Sequence, residues 1–334
     1  MSFIYIFDQG TKVSFKDNQI CIRTPDEMTR SLPVESVEGV VLFGRIEISS
    51  TVVTQFLEKG IPMTWLSNKG KFFGRLESTS DVNIERQRVQ FRCGDDPEFV
   101  IGLCRQLVSG KIKNHKVFLR RINRIHDNKE VEVLAGQLTQ YENKALKATK
   151  IDELMGYEGI AAKIYFQGVS QSMPKAFKFN KRSKRPPRDP FNSLLSFGYT
   201  LLMYDVYTVL AELGLNPYAG FLHQDRQNHP TLASDLMEEW RCILVDAVVV
   251  AMVSKKMIKP DDFETAENGG VYADKDTSRN FIGQYAKKIQ TSTRYIKELT
   301  YPVSFRRALE HQIRQLIKAM EENDPSIYKP IELR

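Results

Sequence analysis

The 334-residue chain is poor in cysteine, with four, at positions 21, 93, 104 and 242, and no two of them form a CxxC pair. This excludes a disulfide framework and a cysteine-rich zinc site, and fits thiols kept reduced in a cytosol-like compartment. The opening residues, MSFIYIFDQG, lack the basic segment that begins a secretory signal peptide, and Asp8 comes early. Long apolar runs are missing too. The longest, Ile243 to Val253, is interrupted by Asp246 and is too short to cross a bilayer, so it reads as a buried helix. There is no internal repeat and no low-complexity tail. The expectation is a cytoplasmic protein with no membrane partner.

What is present is ordinary for a globular chain. Apolar residues make up 42% and charged residues 27%, enough to build a sizeable core in two domains. Lys and Arg total 48 against 41 Asp and Glu, a formal net charge of +7. That balance permits a nucleic-acid partner without demanding one, so the placement of the charges must decide.

The expected fold class is α+β. Residues 1–82 read as a small N-terminal β-sandwich-like domain with one short helix. Phe3 to Phe7, Val13 to Phe15, Ile20 to Ile22 and Val37 to Phe43 are short β-rich runs separated by turn residues. Ser50 can cap a helix that Gly60 ends, and Pro62 to Leu66 pairs with Lys71 to Leu76 as a hairpin. No titratable cluster appears there, so no chemistry is expected of it, while dimerisation or docking stays open. Residues 83–334 read as a larger, all-helical catalytic domain. Its cations Lys111, Lys113, Lys116, Arg120 and Arg121 read as a solvated helix face, and the charged segment Asp127 to Asn143 as exposed.

Two places in the helical part carry candidate chemistry. In Gly214 to Arg241, His223 sits in a turn-rich connection ahead of a helix that Pro230 can open, with Asp235 and Glu238 spaced i,i+3 on one face. Further upstream, Glu158 lies between Gly156 and Gly159 on an apolar helix from Ile151 to Phe166. Glycine inside a helix costs about 0.5–1 kcal/mol relative to alanine, so two beside a carboxylate suggest that something approaches the backbone closely. A tight helix crossing, with Glu158 reaching solvent, is the alternative. Taken together, Glu158, His223 and Glu238 offer two carboxylates and an imidazole, a set suited to Mg²⁺ or Mn²⁺ and not to structural zinc.

Between them lies the densest basic run. The loop 175–190 carries Lys178, Lys181, Arg182, Lys184, Arg185 and Arg188, interleaved with Phe177 and Phe179 and broken by Pro186, Pro187 and Pro190. Beside a metal site such a loop suits a phosphodiester backbone. A solvated linker or a nuclear localisation signal has the same composition.

In order, Leu107 to Asn114, Met155 to Phe166, Asp189 to Tyr199, Gly214 to His223, Ser234 to Arg241, Phe305 to Glu310 and Tyr328-Lys-Pro resemble the CRISPR-associated endonuclease/integrase of spacer acquisition, the Cas-one family. The resemblance covers essentially the whole chain. It implies a homodimer, two of which bracket a dimer of the small Cas-two partner. It also implies metal-dependent transesterification, in which a DNA 3′-hydroxyl attacks a phosphodiester at the edge of a CRISPR repeat. Carried over by position, Glu158, His223 and Glu238 are the metal ligands, and Asp235 is an alternative ligand or a support for one. Asn114, Ser193, Tyr199 and Arg241 fall at positions near the site, with Arg241 placed to meet phosphate. His223 is preferred to His229 because it follows Gly220-Phe-Leu in the matching motif. His115, His126 and His311 read as surface or core histidines. Two other functions remain open: a non-enzymatic nucleic-acid-binding scaffold, and a general metal nuclease of branched DNA.

Overall fold

The computed structural model describes residues 2–294 and 301–333, apart from the side chains of Ser2, Ile125 and His126. His126, read above as a surface or core histidine, therefore lies outside the described side chains. The chain divides into two compact units, Met1–Val82 and Asn83–Arg334, each considered by itself.

The first unit holds two four-stranded sheets. One has the order β1 (Ser2–Ile6), β5 (Val37–Phe43), β7 (Met63–Leu66), β8 (Phe72–Leu76), and the other β4 (Thr29–Pro33), β3 (Gln19–Arg23), β2 (Lys12–Lys16), β6 (Glu47–Ile48). Strand β5 pairs in parallel with β1 on one side and β7 on the other, and its near-continuous apolar run is buried accordingly. Asp17 and Asn18, both at positive φ (51° and 59°), close the two-residue β2–β3 hairpin, a conformation these short polar side chains tolerate. Gly39 is required where it stands, since a Cβ there would come 2.6 Å from the Phe3 ring. Helix α1 (Ser50–Glu58) is capped by Ser49, one residue earlier than expected. It packs Val52 and Phe56 into a core with Ile6, Val13, Ile20, Leu42 and Met63. Strands β4 and β6 were not legible, because β4 is polar and mostly exposed and β6 spans only two residues.

The second unit is built on α2 (Ile84–Gly94), α3 (Pro97–His126), α4 (Lys129–Lys147), α5 (Ile151–Gln171), α6 (Pro190–Glu212), α7 (Thr231–Met237), α8 (Ala247–Ser254), α9 (Lys275–Ile289) and α10 (Phe305–Glu321). The α3 start is as expected: Pro97 occupies the first turn and Asp96 accepts from the Glu98 and Phe99 amides. The unit is not all-helical, however. Phe263–Thr265 (β9) pairs with Val271–Ala273 (β10), and Ser292–Thr293 (β11) with Val303–Ser304 (β12). These pairs are too short to leave a periodic signal in sequence.

Nor is α4 simply an exposed charged segment. Val131, Leu134, Ala135, Leu138 and Ala145 form a buried stripe that packs against α3 and α5, while Lys116–Glu142 and Arg120–Glu132 ion pairs tie α3 to α4. Helix α6 is long and apolar enough to pass a membrane-span test by length and composition, yet 72% of its most apolar window is buried within the unit. Its Asp205 accepts hydrogen bonds from Tyr285 and Arg306. Between α7 and α8, residues Arg241–Asp246 form a π-helical turn, a local widening that often sits at functional sites.

Phe56 is fully buried at the centre of the first core. Phe56→Ala is expected to lower stability by about 3–5 kcal/mol in urea unfolding, through lost burial and the cavity left behind.

Candidate active site

Four charged side chains from three segments of the second unit meet, Lys111 and Glu238 buried and Glu158 and Arg241 half-buried. Lys111 is the first, on α3, half-way along a helix whose neighbouring turns are packed by α4 and α5. It is 5% exposed. Its Nζ hydrogen-bonds Glu158 Oε1 from α5 and lies 2.6 Å from Glu238 Oε2, in the turn that follows α7. Glu238 Oε1 in turn lies 2.8 Å from Arg241, the first residue of the π turn. The sequence along the site is therefore carboxylate, ammonium, carboxylate, guanidinium.

Burial opposes charge on both Glu238 and Lys111, but their partners win. Arg241 and Lys111 hold the Glu238 carboxyl below the usual range, and Glu158 and Glu238 raise the Lys111 ammonium above its ordinary value. Removing one partner of such a buried pair costs about 3–5 kcal/mol, because the other charge is left uncompensated. Glu238 Oε2 is engaged by the Lys111 ammonium.

Arg241 is fixed from its other side. Its guanidinium lies over the Tyr199 ring at 4.9 Å, and Arg182 lies over the same ring at 5.3 Å. Tyr199 donates to Asp246 Oδ1 and Tyr165 to Asp246 Oδ2, both at 2.6 Å. Asp246 is raised by burial against these two donors, and burial with Asp246 nearby pushes both tyrosines well above the phenol range. The His115 ring stacks on Tyr165 at 3.8 Å and is held neutral by burial and by Lys111.

His223 enters from the loop between α6 and α7. Asp235, fully buried on α7, accepts the backbone amides of Phe221 (2.7 Å), Leu222 (2.9 Å) and His223 (3.2 Å), and its Oδ1 lies 2.7 Å from His223 Nδ1. Asp235 thus folds the loop and sets the imidazole orientation, leaving Nε2 as the nitrogen free of this contact. The Asp235 hydrogen bond raises the His223 pKa against the effect of burial, and Glu238 and Lys111 lie close enough for their charges to act on the ring. Although Asp235 and Glu238 are three residues apart, they serve different partners, His223 and the loop for the first, Lys111 and Arg241 for the second. His229 is turned to the Ser234 hydroxyl, 2.9 Å away.

Several of the remaining candidates have partners within the protein. Asn114 is fully buried: its amide donates to Glu239 O and Ile331 O and its oxygen accepts from Leu333 N. Ser193, 6% exposed, lies inside α6. Tyr199 supports the two arginines from beneath. Arg182 turns inward to Asn192 Oδ1 (2.8 Å) and Ser196 Oγ (3.0 Å). Phe177 and Phe179 are core residues, and Ser170 anchors the loop through Phe179. The loop is therefore tied down at several points, while Lys178, Lys181, Lys184, Arg185 and Arg188 remain exposed. Gly156 and Gly159 do not serve close packing in this chain, since a Cβ at either would meet nothing within 4 Å.

The sequence reading missed Lys111, assigned to a solvated face, and Glu239. Glu239 is pushed up to about 8 by burial, against donors from Tyr328, Ile331 and Gln312. These bonds hold the segment 328–333 against the turn that carries Glu238. Positions 111, 114 and 115 fall together on one side of α3, the only signal that could have marked Lys111 as inward-facing.

The donors suit a hard divalent cation, and the structure contains a direct indication that the place accepts positive charge: the Lys111 ammonium bridges the two carboxylates. Among the described residues, no three His, Cys, Asp or Glu side chains are arranged to hold a metal as they stand.

Comparison with known proteins places the chain. The family profile described as CRISPR associated protein Cas1 matches residues 4–287. The chain is 32% identical over 326 residues to the CRISPR-associated endonuclease Cas1 of Mycobacterium tuberculosis, spanning 97% of this chain and 95% of that protein. It is 31% identical over 333 residues to a Cas1 endonuclease of Thermus thermophilus, spanning 99% and 97%. Among solved structures, a Cas6-RT-Cas1–Cas2 complex matches with a TM-score of 0.84 at 27% identity, over 100% of this chain and 36% of that one. A CAS1 protein from Thermotoga maritima matches at 0.81 and 24% identity (96% and 97% covered), and a casposase bound to integration product at 0.86 and 18% (100% and 95% covered). At those identities the last two speak for the fold. The chain belongs to the CRISPR-associated Cas1 family, and the curated relatives it matches are named as endonucleases.

Because Asp235 raises the His223 pKa, the pair's contribution to stability is fully present below the unfolded histidine value of about 6.5 and is lost as pH rises through the higher folded value. Asp235→Asn should bring the His223 pKa down, read by NMR titration of the imidazole signals, and flatten stability over that pH window.

Proposed function

We propose that the chain is a metal-dependent DNA endonuclease and integrase that inserts new spacer DNA into a CRISPR array. The observation that carries this reading is the convergence of Glu158 and Glu238 on one buried cation, beside an imidazole held by Asp235. Glu158, His223 and Glu238 are the residues that would hold Mg²⁺ or Mn²⁺. The ion, when bound, would polarise the phosphoryl oxygen and favour the alkoxide form of the attacking hydroxyl. In the transesterification, the incoming 3′-oxygen forms a bond to phosphorus as the repeat's own 3′-oxygen leaves. One phosphodiester replaces another, so no high-energy cofactor is consumed.

The chain's own residues account for binding and orientation. Asp235 fixes the face that His223 presents, and Arg241, braced by Tyr199 and 27% exposed at its side chain, offers a guanidinium for phosphate. The exposed cations Lys178, Lys181, Lys184, Arg185 and Arg188 neutralise the DNA backbone. Arg182 is left out of that set because it is spent on Asn192 and Ser196. The proposed assembly is a homodimer that joins a dimer of the small Cas2 protein in the cytoplasm; the Cas1–Cas2 complexes among the structural neighbours support the Cas2 partner.

The test is strand transfer into repeat-containing DNA with Mg²⁺ or Mn²⁺. Glu158→Ala and His223→Ala are expected to abolish joining, and undiminished joining by either would overturn the assignment. His223 is partly open, so His223→Ala should change stability by no more than about 1 kcal/mol. Metal-independent binding without joining would favour the scaffold reading, and equal activity on branched junctions the general nuclease. Alanine at Lys178, Lys181, Lys184 and Arg185 should reduce the slope of log affinity against log salt by about 0.9 for each one that meets a phosphate.

A further inference from the structure

We infer that Lys111 is the resident counter-ion of this site: its ammonium holds Glu158 and Glu238 together in the metal-free chain, and a divalent ion enters by displacing it. The inference rests on the ligand assignment proposed above. Three observations carry it.

The first is position. Lys111 Nζ contacts both carboxylates at once, one from α5 and one from the turn after α7, and is 5% exposed. These are two of the three residues assigned to the metal. The second is charge. Glu158 and Glu238 are already balanced by Lys111 and Arg241. A divalent ion added beside both cations would leave a buried excess of two positive charges, which an interior of low polarisability does not accommodate. One cation must therefore withdraw.

The third is which of them can. Arg241 is held by Glu238 Oε1 and by the Tyr199 ring, whose hydroxyl is itself bonded to Asp246. Lys111 is a point charge on a flexible stem whose ion contacts are the two carboxylates themselves, so a divalent ion that takes those oxygens offsets the contacts it breaks and frees the ammonium to move. Lys111 is thus the exchangeable partner and Arg241 the fixed one. Metal affinity is then set by an exchange of cations, with the ammonium as a built-in competitor.

The experiment is Mn²⁺ binding to the full chain, measured by electron paramagnetic resonance and calorimetry without DNA, together with thermal melting. Lys111→Met should bind Mn²⁺ more tightly than wild type by about tenfold or more, because the competitor is gone. Without metal it should melt at a lower temperature than wild type, and Mn²⁺ should restore more of its stability than it adds to wild type. Lys111→Gln serves as the neutral variant if Lys111→Met does not fold. Lys111→Arg keeps the cation and should show no tightening. Mn²⁺ affinity unchanged or weakened in the neutral variants, or raised equally in Lys111→Arg, overturns the inference. Glu158→Gln separates the two levels: if it binds Mn²⁺ as tightly as wild type, the ligand assignment itself fails, whatever Lys111 does.

Discussion

Two carboxylates brought face to face in a protein interior repel each other and lose their hydration, and the second unit is organised around that cost. Lys111 lies between Glu158 and Glu238 and Arg241 closes the far side, and these two cations hold Glu238 charged against its burial. Each cation is secured in its turn. Lys111 comes from α3, which α4 and α5 pack against, and Arg241 rests on Tyr199 and through it on Asp246.

A second layer fixes where these charges stand. Asp235 gathers three backbone amides and the His223 ring, so the loop from α6 returns to the same place as the helix it leads into. Glu239, one residue beyond Glu238, ties the turn to Gln312 on α10 and to Tyr328 and Ile331, while Asn114 binds the same segment from α3. The π turn at Arg241–Asp246 lets Arg241 and Asp246 both face this cluster. Positioning of the site is thereby distributed over elements distant in sequence.

That distribution explains what was and was not legible. The β-rich first unit and the helical second unit could be read because alternation and helical periodicity are local signals, and the start of α3 because Asp96 and Pro97 announce it. Glu158, His223 and Glu238 stood out as acids and an imidazole in unusual local settings. Lys111 did not, since a lysine among lysines and arginines has the composition of a solvated face, and only the long-range approach of α5 and the α7 turn turns it inward. Asn114 and Ser193 are both buried, and Asn114 supports the site by clamping residues 331–333. The glycines beside Glu158 face open space, so a tight helix crossing is not the reason they stand there.

The central claim, that Glu158, His223 and Glu238 hold one divalent ion, is tested most directly by the anomalous scattering of Mn²⁺ in crystals of the protein. The account predicts a single strong peak bounded by these three side chains, with the Lys111 ammonium moved off Glu158. A peak elsewhere, or none at saturating Mn²⁺ with the Lys111 bridge intact, would contradict it.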